Sequence, residues 1–277
     1  MGGTSSSNTA HRIHVVVPAY KCERWIGRAI ESIRGQRGVD FRCIVIDDCS
    51  GDATHARARE AAGDDERIRV VRREQRVYQL ANRIFGIREI VPGPEDVVVL
   101  VDGDDWLAHE HALARIAREY ADPDVWVTYG SYRSKKAKWR YRLGLGRRRA
   151  VRPYPDEIVR ARTFRRWRWP GVHPKTFRRF LFDAIRDEDL RDETGAYYEA
   201  GTDLALMLPM FEMAGTAHLR WLREVLYIRN KLEARIYDPA YRERQSRASA
   251  RLRSSDSPLY PELTRSYSEL KRAHPPA

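Results

Sequence analysis

Apolar residues in the first half of the chain fall into short blocks, and the stretches between them repeat with a helical period. Ile13–Pro18 (IHVVVP), Phe41–Ile46 (FRCIVI), Arg67–Arg72 (RIRVVR) and Val97–Val101 (VVVLV) are runs of five or six residues rich in β-branched side chains, which predicts strands. Between them, Glu23–Gln36 puts Trp25, Ile26, Ala29, Ile30 and Ile33 on one helical face. Ala53–Ala62 and Tyr78–Ile90 also read as helices. Pro18 ends the first strand because it cannot donate to a central ladder. Pro92-Gly93-Pro94 stops the third helix. Strands alternating with helices predict βαβ units around a parallel sheet, and right-handed crossovers gather the strand C-termini on one edge. Open α/β sheets bind ligands in the crevice outside those ends. Three turns meet there: Pro18-Ala19-Tyr20, Asp47-Asp48 and Asp102-Gly103-Asp104-Asp105.

The last of these turns carries the most chemistry. An uninterrupted apolar run such as Val97–Val101 reads as a strand buried on both faces. The three carboxylates that follow cannot be buried unpaired, so they belong in the crevice. Gly103 allows a tight turn and a close approach of the backbone to a ligand. Clustered carboxylates suit a hard divalent cation, Mg²⁺ or Mn²⁺, with a substrate phosphate completing its shell. The plainer alternative is an acidic turn capping a helix at Ala108–Tyr120. No GxGxxG follows the first strand and there is no P-loop lysine motif, which removes support for dinucleotide and P-loop classes.

Further along, Val125–Tyr129 reads as a strand, Thr176–Ile185 as a helix and Asp187–Tyr198 as loop. Asp203–Ala214 reads as an apolar helix kinked by Pro209, and Glu224–Asn230 as an edge strand. From Asp238 the chain is polar and Arg-rich, predicting a peripheral helix and a ragged end. No run approaches the ~20 apolar residues of a membrane span. The first twelve residues lack the apolar core of a signal peptide and read as a disordered tail. Cys22, Cys43 and Cys49 are odd in number and match no zinc spacing, which fits reduced cysteines of a soluble, cytoplasmic protein.

Charge changes the picture at one place. The net charge is +12, yet Arg133–Arg168 alone carries fifteen Lys or Arg against Asp156 and Glu157. One local basic surface therefore needs a partner. It suits an anionic partner, such as a phosphate-bearing lipid or an acidic glycan, or peripheral contact with an anionic membrane. A solvated arginine-rich loop is the bland alternative. Nucleic-acid binding, with Trp139, Trp167 and Trp169 as stacking platforms, would leave the acidic turn unexplained.

The segments VVVPAYKCERWIGRAIESI (Val15–Ile33), CIVIDDCSGD (Cys43–Asp52), VVVLVDGDDWL (Val97–Leu107), VWVTYGSY (Val125–Tyr132) and HPKTFRRFLFDAI…YYEAGTDLALMLPMFEMAG…LYIRN, in this order and spacing, resemble a family 2 glycosyltransferase of the GT-A fold. The resemblance implies an α/β, Rossmann-like nucleotide-diphospho-sugar transferase fold, with a mainly parallel sheet flanked by helices. It implies one domain over 13–237, with a nucleotide-sugar half (13–132) and an acceptor half (133–237) that includes the basic segment 133–168. Residues 1–12 would be a tail and 238–277 a peripheral extension.

The resemblance also implies roles. Pro18, Ala19, Tyr20 and Glu23 would line the nucleotide. Of Asp47 and Asp48, the second would accept a hydrogen bond from a uracil N–H, since a carboxylate only accepts; a turn aspartate bonding its own backbone is the ordinary alternative. Cys49 stands where the family usually has glycine. Asp102 and Asp104 would be the DxD carboxylates, with Asp104 first for direct metal contact and Asp102 or Asp105 holding ribose, metal or its waters. A further ligand, sometimes histidine, would come later in the chain, and His173 and His218 are candidates. Asp203 would be the catalytic base at a helix start, where the dipole lowers its pKa, with Glu199 as runner-up; an ordinary N-cap is the alternative. The implied reaction is metal-dependent and inverting, from a nucleotide-sugar, UDP-linked by preference, to a hydroxyl of a glycan, glycoconjugate or lipid-linked acceptor. No specific nucleic acid is implied. A nucleotidyltransferase would show a Gly-rich, Arg/Lys-bearing loop after the first strand, which VVVPAYKCERW is not.

Overall fold

A computed structural model describes residues 12–135, 152–170, 172–230, 239–254 and 260–264. The chain runs β1 (Ile13–Ala19), α1 (Ile26–Arg34), β2 (Phe41–Asp47), α2 (Thr54–Ala62), β3 (Ile68–Arg72), α3 (Tyr78–Ile90), β4 (Val97–Leu100), β5 (Trp106–Leu107), α4 (Ala112–Glu119) and β6 (Val127–Lys135). It continues through α5 (Asp156–Arg160), β7 (Lys175–Arg178), α6 (Arg179–Asp183), α7 (Thr202–Ala214), β8 (Leu219–Asn230) and α8 (Pro239–Arg253). Single 3-10 turns lie at Phe164–Arg166 and Asp187–Leu190.

Eight strands form one sheet in the order β3-β2-β1-β4-β7-β6-β8-β5. The β3-β2-β1-β4 half is parallel throughout. β7 pairs antiparallel with both β4 and β6, β6 pairs parallel with β8, and β5 pairs antiparallel with β8. Strand alternation builds two cores. Val16, Ile44, Ile46, Val98 and Leu100 face α3 and α7. Val15, Val17, Cys43, Val45, Val97 and Val99 face α1, α2 and α4. With helices on both faces, the strands must be apolar on both sides, which explains the uninterrupted β-branched runs. On α3, a Cβ at Gly86 would lie 2.6 Å from Val16 Cγ1 and 2.9 Å from Ile46 Cδ1. Glycine there lets α3 settle onto the sheet, and this close seat sets the height of the polar side chains one turn earlier.

Several expectations are corrected. The first turn expected in the 23–36 helix is irregular, and α1 starts at Ile26. Thr176–Ile185 is not one helix: Lys175–Arg178 is a strand filling the slot between β4 and β6, and only Arg179–Asp183 is helical. The helix expected at Ala108 starts at Ala112, because Trp106–Leu107 is drawn into pairing with β8. The acidic turn therefore does not cap a helix. Glu224–Asn230 is the end of a longer strand that lies inside the sheet, between β6 and β5. Of the basic segment, 136–151 lies outside the described residues, Trp139 included. Trp169 stacks on Phe211 and Trp167 is 39% exposed. No helix among the described residues is long and apolar enough to cross a membrane. Cys22 and Cys43 are buried and Cys49 is half-buried, all three free thiols.

Candidate active site

Backbone hydrogen bonds lace the three predicted turns together. Asp48 N donates to Ala19 O (2.8 Å), and Gly103 N donates to Pro18 O (3.1 Å). A Cβ on Gly103 would meet Ala19 Cβ at 2.9 Å and Pro18 O at 3.0 Å. Glycine thus lets the acidic turn close onto the end of β1, so the expected close approach is made to protein backbone.

Around β1 and β2 the expected residues share the edge, but several carry structural bonds. Tyr20 is half-buried just past β1. Glu23 accepts a hydrogen bond from Ala53 N (2.9 Å), which ties its loop to the start of α2. Asp47 is fully buried, accepts from Ser50 N (3.3 Å) and lies 3.4 Å from Arg72 Nε. Asp48 accepts from Val77 N (2.8 Å) and Tyr78 N (2.9 Å), clasping the start of α3. Each carboxylate oxygen keeps a second lone pair for a ligand donor.

At the C-terminal end of β4 two buried cations bind two carboxylates. Arg83 on α3 is 0% exposed and donates to Asp102 Oδ1, Asp203 Oδ1 (both 2.8 Å) and Thr202 Oγ1 (3.0 Å). Lys175 on β7 is also 0% exposed; its Nζ lies 2.8 Å from Asp203 Oδ1 and 3.8 Å from Asp102 Oδ2. Gln79 donates to Asp102 Oδ1 (2.8 Å) and accepts from Thr202 Oγ1 (2.8 Å), closing the ring. Burial alone would raise the Asp102 carboxyl, but Lys175 and Arg83 outweigh it and hold it at about 2. Burial likewise opposes the Asp203 charge, and the same two cations hold that carboxyl far below the ordinary range. Asp203 does lie in the first turn of α7. Its low proton affinity comes from these cations, where the sequence pointed to the helix dipole. Both cations bond Oδ1; among the described residues none bonds Oδ2, and the side chain is 30% exposed.

A second cluster adjoins the first. Asp102, Asp105 and His173 offer ligand atoms all within 4.8 Å of one another. Asp105 is buried, accepts from Tyr227 Oη (2.8 Å) and Asn230 N (2.6 Å), and is pushed up to about 8 by burial and by the charges of Asp102 and Asp104. His173 is buried and its Nδ1 has no hydrogen-bond partner among the described residues. Its ring stacks on Tyr227 at 4.6 Å, and burial together with Lys175 keeps it neutral by drawing its pKa well below the usual value. A neutral imidazole with a free ring nitrogen beside two carboxylates fits a divalent cation. Asp104 is half-buried on the same turn and is not one of this trio. His218 stacks on Trp126 at 3.4 Å and hydrogen-bonds Asp124 O, so it is occupied elsewhere. Glu199 pairs with Arg244 of α8 at 3.2 Å, away from the clamp.

Arg83, Lys175, Gln79, Thr202 and Tyr227 were not singled out by the sequence. Gln79 and Arg83 did leave a signal: they are polar residues four apart, which puts them on one face of the helix among Leu80, Ile84 and Ile87. Lys175 lay inside the matching segment HPKTFRRF without a role attached.

The model of the family described as Glycosyl transferase family 2 matches residues 14–187, more than half of the chain. Glycosyltransferase GlyA of Streptococcus pneumoniae is 25% identical over 123 residues, 44% of this chain and 17% of that protein. The chain spans less than half the length of the curated relatives it matches. The crystal structure of S. aureus TarS 1-349 in complex with UDP-GlcNAc superposes with a TM-score of 0.60 at 19% identity, covering 87% of this chain and 65% of that one. The mannosyltransferase PcManGT of Pyrobaculum calidifontis, in complex with GDP-Man and Mn²⁺, gives a TM-score of 0.55 at 20% identity, covering 89% and 66%. The fold is that of GT-A glycosyltransferases, its sheet parallel in one half and mixed in the other.

Proposed function

The chain belongs to glycosyl transferase family 2, and from that premise we propose that it moves a sugar from a nucleotide-sugar, UDP-linked by preference, onto an acceptor hydroxyl with inversion. The observation that carries the reading is the clamp at the sheet edge. Arg83 and Lys175 hold a donor-side carboxylate, Asp102, and the acceptor-side Asp203 in fixed relation. Structures of the same fold are complexes with UDP-GlcNAc and with GDP-Man and Mn²⁺, which supports a nucleotide-sugar donor and a divalent cation.

In this reading the nucleotide lies over Pro18, Ala19, Tyr20, Glu23, Asp47 and Asp48. Asp102, Asp105 and His173 hold the cation, with Asp104 available to the diphosphate or to waters of the cation. An imidazole among the ligands favours Mn²⁺ over Mg²⁺. When bound, the cation stabilises the charge that develops on the leaving diphosphate. Asp203 Oδ2 faces the acceptor hydroxyl and takes its proton as the hydroxyl oxygen attacks the anomeric carbon. The new C–O bond forms opposite the diphosphate, the old C–O bond breaks, and configuration inverts. A carboxylate of such low proton affinity is a weak base, so position does the work: it orients the hydroxyl and receives the proton late, as the bond forms.

The test is UDP release from a panel of UDP-sugars with Mn²⁺, comparing wild type with Asp102→Ala and Asp203→Asn. Turnover of one sugar that Asp102→Ala abolishes supports the donor reading. Asp203→Asn should keep donor binding and lose transfer to an added acceptor by ~10²-fold or more. If no nucleotide-sugar binds with any divalent metal, the reading fails. The acceptor is proposed to be a glycan, glycoconjugate or lipid-linked hydroxyl compound, with the basic segment 133–168 as its anionic-group or membrane contact. For the location of the protein we propose the cytoplasm, peripheral to a membrane.

A further inference from the structure

Every residue of α7 except Asp203 is buried. The helix does not by itself fix the end that carries Asp203. Pro209 has no N–H for the carbonyl four residues earlier, which loosens the helix at its middle. Its start has no side-chain cap, and Gly201 precedes it at a φ of 71°. Arg83 and Lys175 grip the Asp203 carboxylate, but the backbone beneath it is held from another side.

That hold comes from the C-terminal part of the chain, beyond residues 14–187 that the family model covers. A Cβ on Gly201 would lie 3.0 Å from Ala248 Cβ and 3.6 Å from Leu252 Cδ1 of α8. Ala248 and Leu252 are 7% and 6% exposed, so the covered face of α8 rests on the backbone just before Thr202. Two ion pairs flank this contact, Arg244 with Glu199 (3.2 Å) and Arg251 with Glu193 (3.4 Å). Such pairs are weak at a surface, but they set α8 in register with the segment that enters α7. The C-terminal residues are also tied to the far end of α7. Buried Glu212 accepts from Arg165 Nε (2.5 Å) and Nη2 (2.9 Å), and Arg165 Nη1 donates to Leu252 O (2.6 Å). Tyr260 N donates to Glu212 Oε2 (3.2 Å) and Leu263 N to Met213 O (2.9 Å).

We propose that Ala248 and Leu252 are positioning residues for Asp203: by seating α8 on Gly201 they fix the first turn of α7 and the carboxylate that faces the acceptor. The inference rests on the reading of Asp203 as the base. Gly201 has no side chain to yield, so in a close-packed contact a change of size at residue 248 is passed to the backbone. Two residues on, it reaches a group whose work depends on placement, and a misplacement of ~1 Å costs ~10²-fold in rate. The nucleotide side is built on β1, β2 and β4, in the other half of the sheet.

The experiment uses the full chain and the variants Ala248→Leu, Leu252→Ala and Ala248→Ser, each at a temperature where a thermal melt shows it folded. Ala248→Leu overfills the contact and Leu252→Ala leaves it slack, so one serves where the other fails to fold. UDP release from the UDP-sugar that wild type turns over is measured with Mn²⁺, water standing in for the acceptor. Both should lower kcat by ~10-fold or more and leave KM within about 2-fold, whereas Ala248→Ser, nearly equal in size, should match wild type. A second measurement needs no turnover: urea unfolding at pH 7 of each variant with and without Asp203→Asn. Asp203→Asn should shift the folding equilibrium several-fold less in Ala248→Leu or Leu252→Ala than in wild type, because sites joined by a shared backbone shift are not additive. Unchanged kcat in the folded variants, or full additivity with Asp203→Asn, overturns the proposal. So does a parallel rise in KM, which marks general loosening. If wild type releases no UDP from any sugar, the donor reading itself fails, and the unfolding cycle still decides whether α8 positions Asp203.

Discussion

Replacing Arg83 with methionine is the sharpest probe of the clamp. Methionine is uncharged and replaces the arginine stem out to about Nε, so the apolar packing of the stem is kept while three hydrogen bonds disappear, to Asp102, Asp203 and Thr202. Two carboxylates are then left with Lys175 as their common counter-charge. Removing one member of a buried ion pair costs ~3–5 kcal/mol, because the partner charge is left uncompensated. The partners here are 20% and 30% exposed and recover some hydration, so the lower end applies, about 3 kcal/mol. The assay is urea unfolding at pH 7 without metal, on wild type, Arg83→Met, Asp203→Asn and the double variant. In the Asp203→Asn background Arg83→Met should cost ~1–2 kcal/mol less, since groups in direct contact couple by that order. Arg83→Lys should recover only part of the loss, because one ammonium cannot reach three partners that a fork of N–H groups spans. A cost under about 1 kcal/mol for Arg83→Met, or full additivity with Asp203→Asn, would refute the clamp.

Three more predictions follow from the same geometry. Gly86→Ala should destabilise by ~1–3 kcal/mol, read as a lower urea midpoint, because its Cβ would collide with Val16 and Ile46; an unchanged midpoint would mean that α3 is not seated so closely. Asp203 has a folded pKa below its ordinary 3.8, so its ion pairs stabilise fully above that value and are lost as pH falls below it. Wild type should therefore lose stability more steeply than Asp203→Asn below pH ~4 in an acid titration of unfolding free energy, and parallel curves would count against the pairing. His173→Gln should lower Mn²⁺ affinity by ~10-fold or more, measured by the free Mn²⁺ signal in electron paramagnetic resonance with UDP present; undiminished affinity would remove His173 from the proposed ligands.

The acidic turn illustrates how side chains of one type diverge once folded. Asp102, Asp104 and Asp105 are near neighbours in sequence, yet Asp102 is held at about 2 and Asp105 at about 8. Asp102 points to two cations, whereas Asp105 is enclosed by Tyr227 and the end of β8, and among the described residues no cation is bonded to it. That contrast suits one permanently charged group and one whose charge a bound cation would restore.

Sequence alone determined the strands of the β3-β2-β1-β4 half of the sheet, its helices and its chemical edge. There strands buried on both faces must be written as continuous β-branched runs, which made each strand legible, although the order was not: β1–β2 and β2–β3 are sequence neighbours, whereas β4 returns to pair with β1. The turns Pro18–Tyr20, Asp47-Asp48 and Asp102–Asp105 were legible for the same reason, since crossover handedness sends them to one side. Tertiary structure decided the rest. Thr176–Ile185 has apolar positions that satisfy a helix, but Lys175–Arg178 completes the ladder between β4 and β6, and inter-strand bonds outweigh a weak local preference. The clamp joins Arg83, Lys175 and Asp203, contributed by α3, β7 and α7. Hydrophobic periodicity records only which side of each element is covered. Which buried cation meets which carboxylate depends on how β7 and α7 are brought back over the sheet, and that is fixed by packing and ladder pairing between segments up to 120 residues apart.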